Sequence, residues 1–391
     1  MTTRFFLLGL VLSAFASATP VKDWTVLIYM NAHNDLDPFV AANINQMENV
    51  GSNDDVNIVV QWASFSHPTT RRVYIQKDSD AANFTSPVIQ DLPRVDMGDY
   101  RSLLAFFQWG IANYPAKHYY LSVGDHGSGW RAMNGAPLYK DISEDDFTKN
   151  RITTEQQGYV LKRIARQLGR RIDIFADDAC LMGMLEVAGE FKHSVDLFIG
   201  SASLVPATGW PYDKFFSAWF NHSDKSPERV AKAAVEQLAK FYYAKSKEID
   251  PVITGVFRMN RLSNLERAIY DLGIEISESD EDTLIQIAET AKSVQTYSHN
   301  DYLDLRHLID RLEEEGLIAQ KRLRHVSDAL RDYTVLSMGT VELSRAGGVG
   351  IWFPQSNMTY SKYAARYRGL ASHQATDWAD TLELLTTSRG K

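Results

Sequence analysis

The chain has 391 residues, of which 45% are hydrophobic and 23% are charged, a composition typical of a globular protein with one large or two ordinary domains. Its formal net charge of -8 argues against general binding of nucleic acid or of anionic membranes, because both partners need a positive face. With one cysteine no intramolecular disulfide can form, so the hydrophobic core must hold the fold together.

The first residues have the pattern of a secretory signal peptide. Arg4 precedes an apolar run from Phe5 to Leu12, and Ala16-Ser17-Ala18 fits the small-residue rule for signal-peptidase cleavage. We therefore assign residues 1–18 to a signal peptide and predict that the mature chain is secreted, to the extracellular space or the periplasm. No run of about 18 apolar residues follows, so the sequence predicts no membrane span.

Apolar runs alternate with amphipathic stretches from about residue 23, which is the pattern of β/α units around a mostly parallel sheet. The strand candidates, rich in β-branched and aromatic residues, are 24–31, 56–63, 71–77, 118–124, 171–176 and 195–201. Helical patterns lie between several of them, at 37–50, 100–114, 153–169 and 181–193. Residues 19–222 are therefore predicted to form an α/β domain of the sandwich type.

Long helical patterns dominate after residue 222. They cover residues 226–247, 261–278, 281–295 and 302–333. We predict a mainly helical C-terminal subdomain over residues 223–391, in which the late apolar stretch 347–354 joins the sheet as one strand.

Two predicted strands are followed by residues that are typical of catalytic sites. The segment VGDHGSGW (123–130) presents His126 among glycines, and DDACLMG (177–183) contains the only cysteine, Cys180. In an open parallel α/β sheet, functional residues collect at the carboxyl ends of the strands, and neighbouring strands lie about 4.8 Å apart. His126 and Cys180 are therefore predicted to face each other across one substrate bond.

A cysteine at this position suits nucleophilic catalysis. Only the thiolate attacks, and a thiol at the N-terminus of the predicted helix 181–193 is expected to have a lowered pKa. His126 would take the thiol proton or protonate the leaving amine. The backbone N–H groups of Gly127 and Cys180 are the candidates for an oxyanion hole.

Each residue also has a plainer interpretation. A lone cysteine is commonly a buried small hydrophobe, and a histidine is often a polar residue whose hydrogen bonds are satisfied. The two motifs support each other, because His126 lies 54 residues before Cys180, which is the order and approximate spacing found in caspases.

Four blocks of the sequence resemble a known family. The blocks WTVLIYMNAHNDLD (24–37), MGDYRSLLAFFQWGIANYPAKHYYLSVGDHGSGW (97–130), DDACLMGMLEVAGE (177–190) and GGVGIWFP (347–354) resemble, in this order, those of clostripain-like cysteine peptidases, the C11 family of the caspase, gingipain and legumain clan. The resemblance extends over nearly all the mature chain, and its H-G-x-G-W and D-A-C-L-M-G motifs are specific. It implies a caspase-like α/β/α sandwich with a catalytic dyad formed by Cys180 and His126.

The resemblance also implies cleavage after Arg or Lys, with Asp178 as the carboxylate of the S1 pocket. A carboxylate there can pair with a guanidinium or an ammonium group. The alternative is that Asp178 is a solvated strand-end carboxylate or a cap for the following helix. Asp177 is the weaker candidate, because alternation along a strand puts the two side chains on opposite faces.

One segment departs from the family pattern. Members commonly have G-W-D-Y beyond the cysteine, whereas here SASLVPATGWPYDKF (201–215) has Pro211 in place of the acidic residue. Asp213 lies two residues further on and is not a direct replacement. If this segment belongs to the S1 wall, the basic specificity is weakened or altered. A different P1 preference therefore stays open, as does a catalytically inactive, secreted binding module on the same scaffold.

The resemblance raises further expectations about processing and cofactors. Family members are often zymogens that cut themselves between the two catalytic blocks, and the polar segment 140–157 contains Lys149 and Arg151 as candidate cleavage sites. An ordinary surface loop is the alternative. Some relatives need calcium, but the sequence has no EF-hand pattern and no zinc-ligand spacing, so it does not itself support a cofactor. The expected partners are peptide or protein substrates with Arg or Lys.

Overall fold

A computed structural model describes residues 21–80, 82–131, 141–343 and 345–388, so the predicted signal peptide lies outside the described residues. The strands are β1 (Lys22–Ala32), β2 (Val56–Ser64), β3 (Thr69–Tyr74), β4 (Val88–Pro93), β5 (Ala116–Gly124), β6 (Ile172–Asp178), β7 (Val195–Ser201), β8 (Ile253–Arg258), β9 (Thr296–Tyr297), β10 (His299–Asp304), β11 (Thr334–Gly339) and β12 (Gly350–Trp352). The α-helices are α1 (Asp37–Glu48), α2 (Tyr100–Asn113), α3 (Thr154–Leu168), α4 (Leu185–Phe191), α5 (Tyr212–Phe220), α6 (Pro227–Tyr243), α7 (Leu262–Ser277), α8 (Glu281–Thr290), α9 (Leu305–Glu314), α10 (Gln320–Tyr333), α11 (Asn357–Tyr367), α12 (Ala371–Thr376) and α13 (Trp378–Thr387). Short 3₁₀ helices lie at Met259–Arg261, Ala291–Ser293 and Val341–Leu343. Over these ranges, no helix combines the length and the apolar character that crossing a membrane requires.

Within the described part of the chain, nine strands form the central sheet in the order β11-β8-β7-β6-β5-β1-β2-β3-β4. The five strands from β7 to β2 are parallel. The strands at both edges pair antiparallel with their neighbours, as in many large mixed sheets. This arrangement confirms the predicted α/β fold around a mostly parallel sheet.

Side chains of the central strands are buried on both faces of the sheet. In β1, Leu27 and Tyr29 pack in a core with residues of α2 and α3, whereas Val26, Ile28 and Met30 pack with residues of α1, α5 and α6. Because successive residues of a strand point to opposite faces, each face needs its own layer of helices. The result is an α/β/α sandwich, and it explains why the central part of β1, residues 26–30, is an unbroken apolar run.

The C-terminal part contributes more strand than the sequence predicts. β8 and β11 come from beyond residue 222 and complete one edge of the central sheet, and β10 overlaps the start of the predicted helix 302–333. The rest of that helix is divided into α9 and α10, with Gly316 between them at φ 64°, a left-handed conformation that glycine adopts readily. The division of the chain into two domains at residue 222 stays a prediction.

The prediction that residues 347–354 join the central sheet was wrong. β12 instead pairs antiparallel with β10 in a separate three-stranded sheet that includes β9. The Asp304 carboxylate at the end of β10 accepts hydrogen bonds from the N–H groups of Gly347 and Gly348, at 2.9 to 3.0 Å. These bonds hold the late strand beside β10, while β11 already occupies the edge of the central sheet.

Candidate active site

Two loops at the carboxyl edge of the central sheet carry the predicted catalytic residues. β5 and β6 are parallel neighbours, with Gly124 opposite Asp178. His126 and Cys180 each lie two residues beyond this pair, so the register places them at matching positions. Both line the same pocket, of about 710 Å³. The structure therefore brings the two predicted residues to one site.

The two loops pack backbone against backbone. The N–H of Asp125 donates to the Asp178 carbonyl at 3.3 Å. A Cβ atom on Gly127 would lie 2.5 Å from the carbonyl oxygen of Cys180 and 3.3 Å from its nitrogen, so this close approach requires glycine. The backbone of Gly127 thus lies against that of Cys180, and the use of their N–H groups as an oxyanion hole stays a prediction.

The Cys180 thiol is buried and does not lie at the start of a helix. Only 8% of the residue is exposed, and the N–H of Val205 donates to Sγ at 3.2 Å. α4 begins at Leu185, and Leu181 has a left-handed φ of 61°, so the sulfur does not lie at the N-terminus of α4. Burial raises the pKa of the Cys180 thiol to about 11. This corrects the expected lowering, because desolvation of the thiolate outweighs the hydrogen bond from Val205.

His126 pairs with a carboxylate that the sequence analysis missed. Its Nε2 lies 2.7 Å from Oδ1 of Asp35, and the two side chains are 16% and 65% exposed, respectively. Asp35 follows β1, the strand next to β5, and lines the same pocket. The signal that could have found it is the polar segment NAHNDLD (31–37), which directly follows a buried strand at this edge of the sheet.

A buried carboxylate anchors the loop that carries His126. Asp125 accepts the N–H of His126 at 2.7 Å and the side-chain amides of Asn31 and Asn34, both at 2.7 Å. Burial raises the pKa of Asp125 to about 7. The two asparagines thereby join the end of β1 to the His126 loop.

Asp178 lines the pocket and is 7% exposed. Its Oδ2 accepts a hydrogen bond from the Tyr212 hydroxyl at 2.8 Å and a longer one from the N–H of Trp210 at 3.4 Å. Burial raises the pKa of Asp178 to about 7. The residue is neither a solvated carboxylate nor a helix cap, since the residue at the N-cap of α4 is Met184.

Asp177 lies on the other face of β6, as the alternation predicts. It is completely buried, and the Gln157 amide donates to its Oδ1 at 2.7 Å. Burial raises the pKa of Asp177 well above its ordinary value. Its position gives it a structural contact on the far face of the strand and none in the pocket.

The segment that departs from the family pattern packs against Asp178 without adding a carboxylate. Pro211 is the N-cap of α5, and the next residue is Tyr212, the hydrogen-bond partner of Asp178. Asp213 lies outside the pocket lining, with its carboxylate 3.0 Å from the ammonium group of Lys214. It therefore does not replace the acidic residue.

Another part of the pocket wall was not anticipated. Residues 247–250, between α6 and β8, line the pocket, and they include the exposed Lys247, Glu248 and Asp250. Their local sequence resembles an ordinary polar loop, so only the tertiary structure relates them to the site. Although several carboxylates line the pocket, the described residues contain no group of three or more His, Cys, Asp or Glu side chains that could hold a metal ion.

Part of the predicted processing segment is buried beside the His126 loop. Residues 141–145 are buried, and the amides of Asn31 and Asn34 donate to the Glu144 carbonyl at 2.8 and 3.1 Å. The expectation of an exposed loop was therefore wrong for the first part of 140–157. These residues complete the packing around the same asparagines that hold the His126 loop.

The two candidate cleavage residues differ in exposure. Lys149 has a left-handed φ of 61° and a side chain that is 70% exposed, with Nζ 3.0 Å from Asp146. Arg151 is half-buried, and its Nε lies 3.3 Å from the buried carboxylate of Asp141. Lys149 is thus the more accessible of the two.

Comparison with known sequences finds relatives along most of the chain. The model of the clostripain family, Peptidase_C11, matches residues 28–384. Clostripain from Hathewaya histolytica is 22% identical over 313 residues, which cover 68% of this chain and 59% of clostripain. The chain therefore matches less than two thirds of the length of that relative.

Comparison with solved structures shows a shared fold. A secreted C11 cysteine protease from Bacteroides thetaiotaomicron, in complex with an irreversible peptide inhibitor, has a TM-score of 0.70 at 21% identity, covering 91% of this chain and 99% of that one. An inactive zymogen C11 protease from Parabacteroides distasonis has a TM-score of 0.69 at 17% identity, covering 92% and 99%, respectively. Because the family match extends over both loops of the pocket, the chain belongs to the clostripain family of C11 cysteine peptidases.

Proposed function

We propose that the protein is a cysteine endopeptidase that hydrolyses peptide bonds after Arg or Lys, with Cys180 as the nucleophile and His126 as the general acid and base. The observation that carries the proposal is the matched position of these residues after neighbouring parallel strands, in a pocket that also holds the buried Asp178. Membership of the clostripain family supports the reaction class. The peptide inhibitor bound to the B. thetaiotaomicron relative supports a peptide substrate.

The reaction runs in two halves. The Cys180 sulfur attacks the scissile carbonyl carbon, its proton passes to His126, and the backbone N–H groups of Gly127 and Cys180 hold the developing oxyanion. The C–N bond then breaks, His126 gives the proton to the leaving amine, and the acyl chain stays on sulfur as a thioester. In the second half, His126 takes a proton from water as the water oxygen attacks the thioester carbon, the C–S bond breaks, and His126 returns the proton to the Cys180 sulfur while the carboxylic acid product leaves.

The environment of Cys180 disfavours loss of the thiol proton before the sulfur attacks. Because burial raises the pKa of the thiol to about 11, little thiolate forms at neutral pH in this conformation. The proton must therefore move to His126 as the sulfur attacks. The N–H of Val205, 3.2 Å from Sγ, stabilises the negative charge while it is on sulfur.

Asp178 is suited to hold a basic P1 side chain. Its carboxylate is fixed by the Tyr212 hydroxyl at 2.8 Å, and its burial means that water screens an ion pair with a guanidinium only weakly. At the exposed wall, Glu248 and Asp250 add negative charge, which Lys247 offsets in part. A basic side chain would enter past this wall to reach Asp178.

A different P1 preference is the second candidate, and Pro211 is the observation that favours it. Asp178 has to hold a basic side chain without the acidic residue that relatives commonly have at this position. Since burial raises the pKa of Asp178 to about 7, a large fraction of the free protein carries a neutral carboxyl group near neutral pH, which would also accept an uncharged polar side chain.

A thiol-reactive peptide inhibitor with Arg at P1 is expected to label Cys180 at one equivalent per chain. We expect it to react roughly 10- to 100-fold faster than the same inhibitor with Ala or Asp at P1, because only Arg pairs with the buried carboxylate. Peptide mass spectrometry locates the label, and the Cys180→Ala protein is the control. Iodoacetamide, which has no P1 group, reports the reactivity of the thiol alone.

The pattern of labelling separates the three functions. Equal rates for Arg, Ala and Asp, or faster labelling with Ala, would contradict basic specificity and leave the second candidate. Reaction of Cys180 with iodoacetamide but with none of the peptide inhibitors would instead indicate an inactive binding module.

We propose that residues 1–18 direct export of the chain and are removed by signal peptidase, and that the mature chain then cuts itself after Lys149, the more exposed of the two candidate residues. Secreted wild-type protein is expected as two fragments, the first beginning at Thr19 and ending at Lys149 by intact mass. The Lys149→Ala and Cys180→Ala proteins are expected as single chains. The Arg151→Ala protein, the matched control, is expected to be cut like the wild type. Recovery of Cys180→Ala as two fragments from the same host would show that another protease makes the cut.

A further inference from the structure

A third polar side chain completes the pair of Cys180 and His126. Oδ1 of Asp35 lies 2.7 Å from Nε2 of His126, which is the distance of a charge-assisted hydrogen bond. Asp35 comes from the end of β1, so the contact joins two neighbouring strand ends at the carboxyl edge of the sheet. This contact is independent of the β5–β6 register that places His126 and Cys180 at matching positions.

The loop that carries Asp35 is fixed to the loop that carries His126. Asn34 and Asp125, the residues directly before each partner, are joined by a 2.7 Å bond from the asparagine amide to Oδ1 of the carboxylate. The other end of the Asn34 side chain accepts the N–H of Leu36 at 3.0 Å. Asp35 is therefore held between two anchored residues, and its backbone position relative to His126 is determined by buried contacts.

We propose that Asp35 is the positioning residue of His126, a proposal that rests on the acid–base role given to His126 above. By accepting the Nε2–H, the carboxylate selects the tautomer in which Nδ1 exchanges the proton with the Cys180 thiol and the leaving amine. It also stabilises the imidazolium that forms after the sulfur has given up its proton. Asp35 touches neither the nucleophile nor the reacting carbonyl in this scheme, so it acts through the imidazole ring.

The exposure of Asp35 predicts that its removal changes the rate of the reaction and not the stability of the fold. Its side chain is 65% exposed, and an ion pair with so exposed a carboxylate adds little to the stability of the fold. Removing the carboxylate should therefore slow the reaction without lowering the melting temperature. Because Asp35 also lines the pocket, direct attraction of a basic substrate is the competing role, and it would change KM and leave kcat unaltered.

The test is a double-mutant cycle of Asp35 and His126 with a P1-Arg peptide. We expect Asp35→Ala to lower kcat roughly 10- to 100-fold with little change in KM, and Asp35→Asn, which keeps an acceptor oxygen, to recover part of this loss. Asp35→Ala should cause no further loss in the His126→Ala background, where the residual rate is followed at high enzyme concentration. Asp37→Asn is the matched control, since Asp37 bonds Ser66 and lies outside the pocket lining.

Each other outcome overturns the proposal. An unchanged kcat in Asp35→Ala, a change confined to KM, or an equal loss of rate in the His126→Ala background would each show that Asp35 does not act through His126. Activity of His126→Ala equal to that of the wild type would remove the acid–base role itself, so failure of the proposed function is distinguishable from failure of this inference.

Discussion

The Cys180→Ala protein is expected to fold normally and to cleave Arg- or Lys-containing peptides at least about 10⁴-fold more slowly than the wild type. The chain has no other cysteine, so no second thiol can replace the nucleophile. Sγ forms hydrogen bonds with the backbone of Val205, and losing them should cost only about 1 kcal/mol of stability. His126→Ala is expected to lower kcat by roughly 10²- to 10⁴-fold, the usual contribution of a general acid–base group.

The matched control is a second histidine, which lies on β5, the strand that precedes the His126 loop. His118 also pairs with a carboxylate, Asp173, at 2.7 Å, but it lies outside the pocket lining. His118→Ala should therefore retain kcat/KM while removing a comparable ion pair. Initial rates with a fluorogenic peptide and thermal unfolding curves provide the measurements. Undiminished cleavage by Cys180→Ala would mean that the nucleophile lies elsewhere, and an equal loss in His118→Ala would indicate damage to the fold.

Cleavage after Arg is expected to become faster as the pH rises through about 7, because of Asp178. Burial raises the pKa of this carboxyl group to about 7, so below that pH it is mostly protonated and cannot form an ion pair with a guanidinium. Above it the carboxylate is charged, and kcat/KM reaches a plateau with respect to this group. The Cys180 thiol, whose pKa burial raises to about 11, affects the profile only at higher pH.

The Asp178→Asn protein tests whether Asp178 causes the rise in kcat/KM near pH 7. We expect it to lose roughly 10²- to 10³-fold in kcat/KM for Arg substrates, to lose the rise near pH 7, and to react with iodoacetamide like the wild type. Asp213→Asn removes the same charge outside the pocket and should leave the profile unchanged. A rise near pH 7 that persisted in Asp178→Asn would assign it to another group.

The same pKa shift predicts the effect on stability. Because the folded-state pKa of Asp178 is raised from 3.8 to about 7, the folded protein binds the proton more tightly than the unfolded chain does. The free energy of unfolding that this group contributes is thus largest at low pH and falls as the pH rises from about 4 to about 7. Asp178→Asn should therefore be at least as stable as the wild type at pH 8, so a loss of activity there cannot be ascribed to unfolding.

The α/β architecture and the candidate catalytic residues could both be predicted from the amino-acid sequence. The parallel strands β1, β2, β5, β6 and β7 were predictable, because the middle of a strand buried on both faces is rich in apolar, β-branched and aromatic residues. The order of strands and helices then implied an α/β sandwich. Since polar residues that directly follow such strands collect at one edge, His126 and Cys180 could be predicted to share a site.

The environment of His126 and Cys180 depends on tertiary contacts. The sequence indicated an activated thiol at a helix start, but α4 begins only at Leu185 and Val205, 25 residues away, packs over the sulfur. The partner of His126 also comes from far along the chain, 91 residues before it. Such contacts depend on strand order and register, which local periodicity does not contain.

The location of β12 and the composition of the pocket wall also could not be predicted from local sequence patterns. A three-residue strand such as β12 carries too little pattern to distinguish between two sheets. The hydrogen bonds that Asp304 accepts from the N–H groups of Gly347 and Gly348, just before β12, hold it beside β10. Glu248 and Asp250 resemble any solvated loop until folding places them in the wall of the pocket that Asp178 also lines. Hydrophobic periodicity therefore determined which helices and strands form. Desolvation and long-range hydrogen bonding exist only after these elements have packed. They determined the pKa of the Cys180 thiol, the carboxylate partner of His126 and the charge of the pocket.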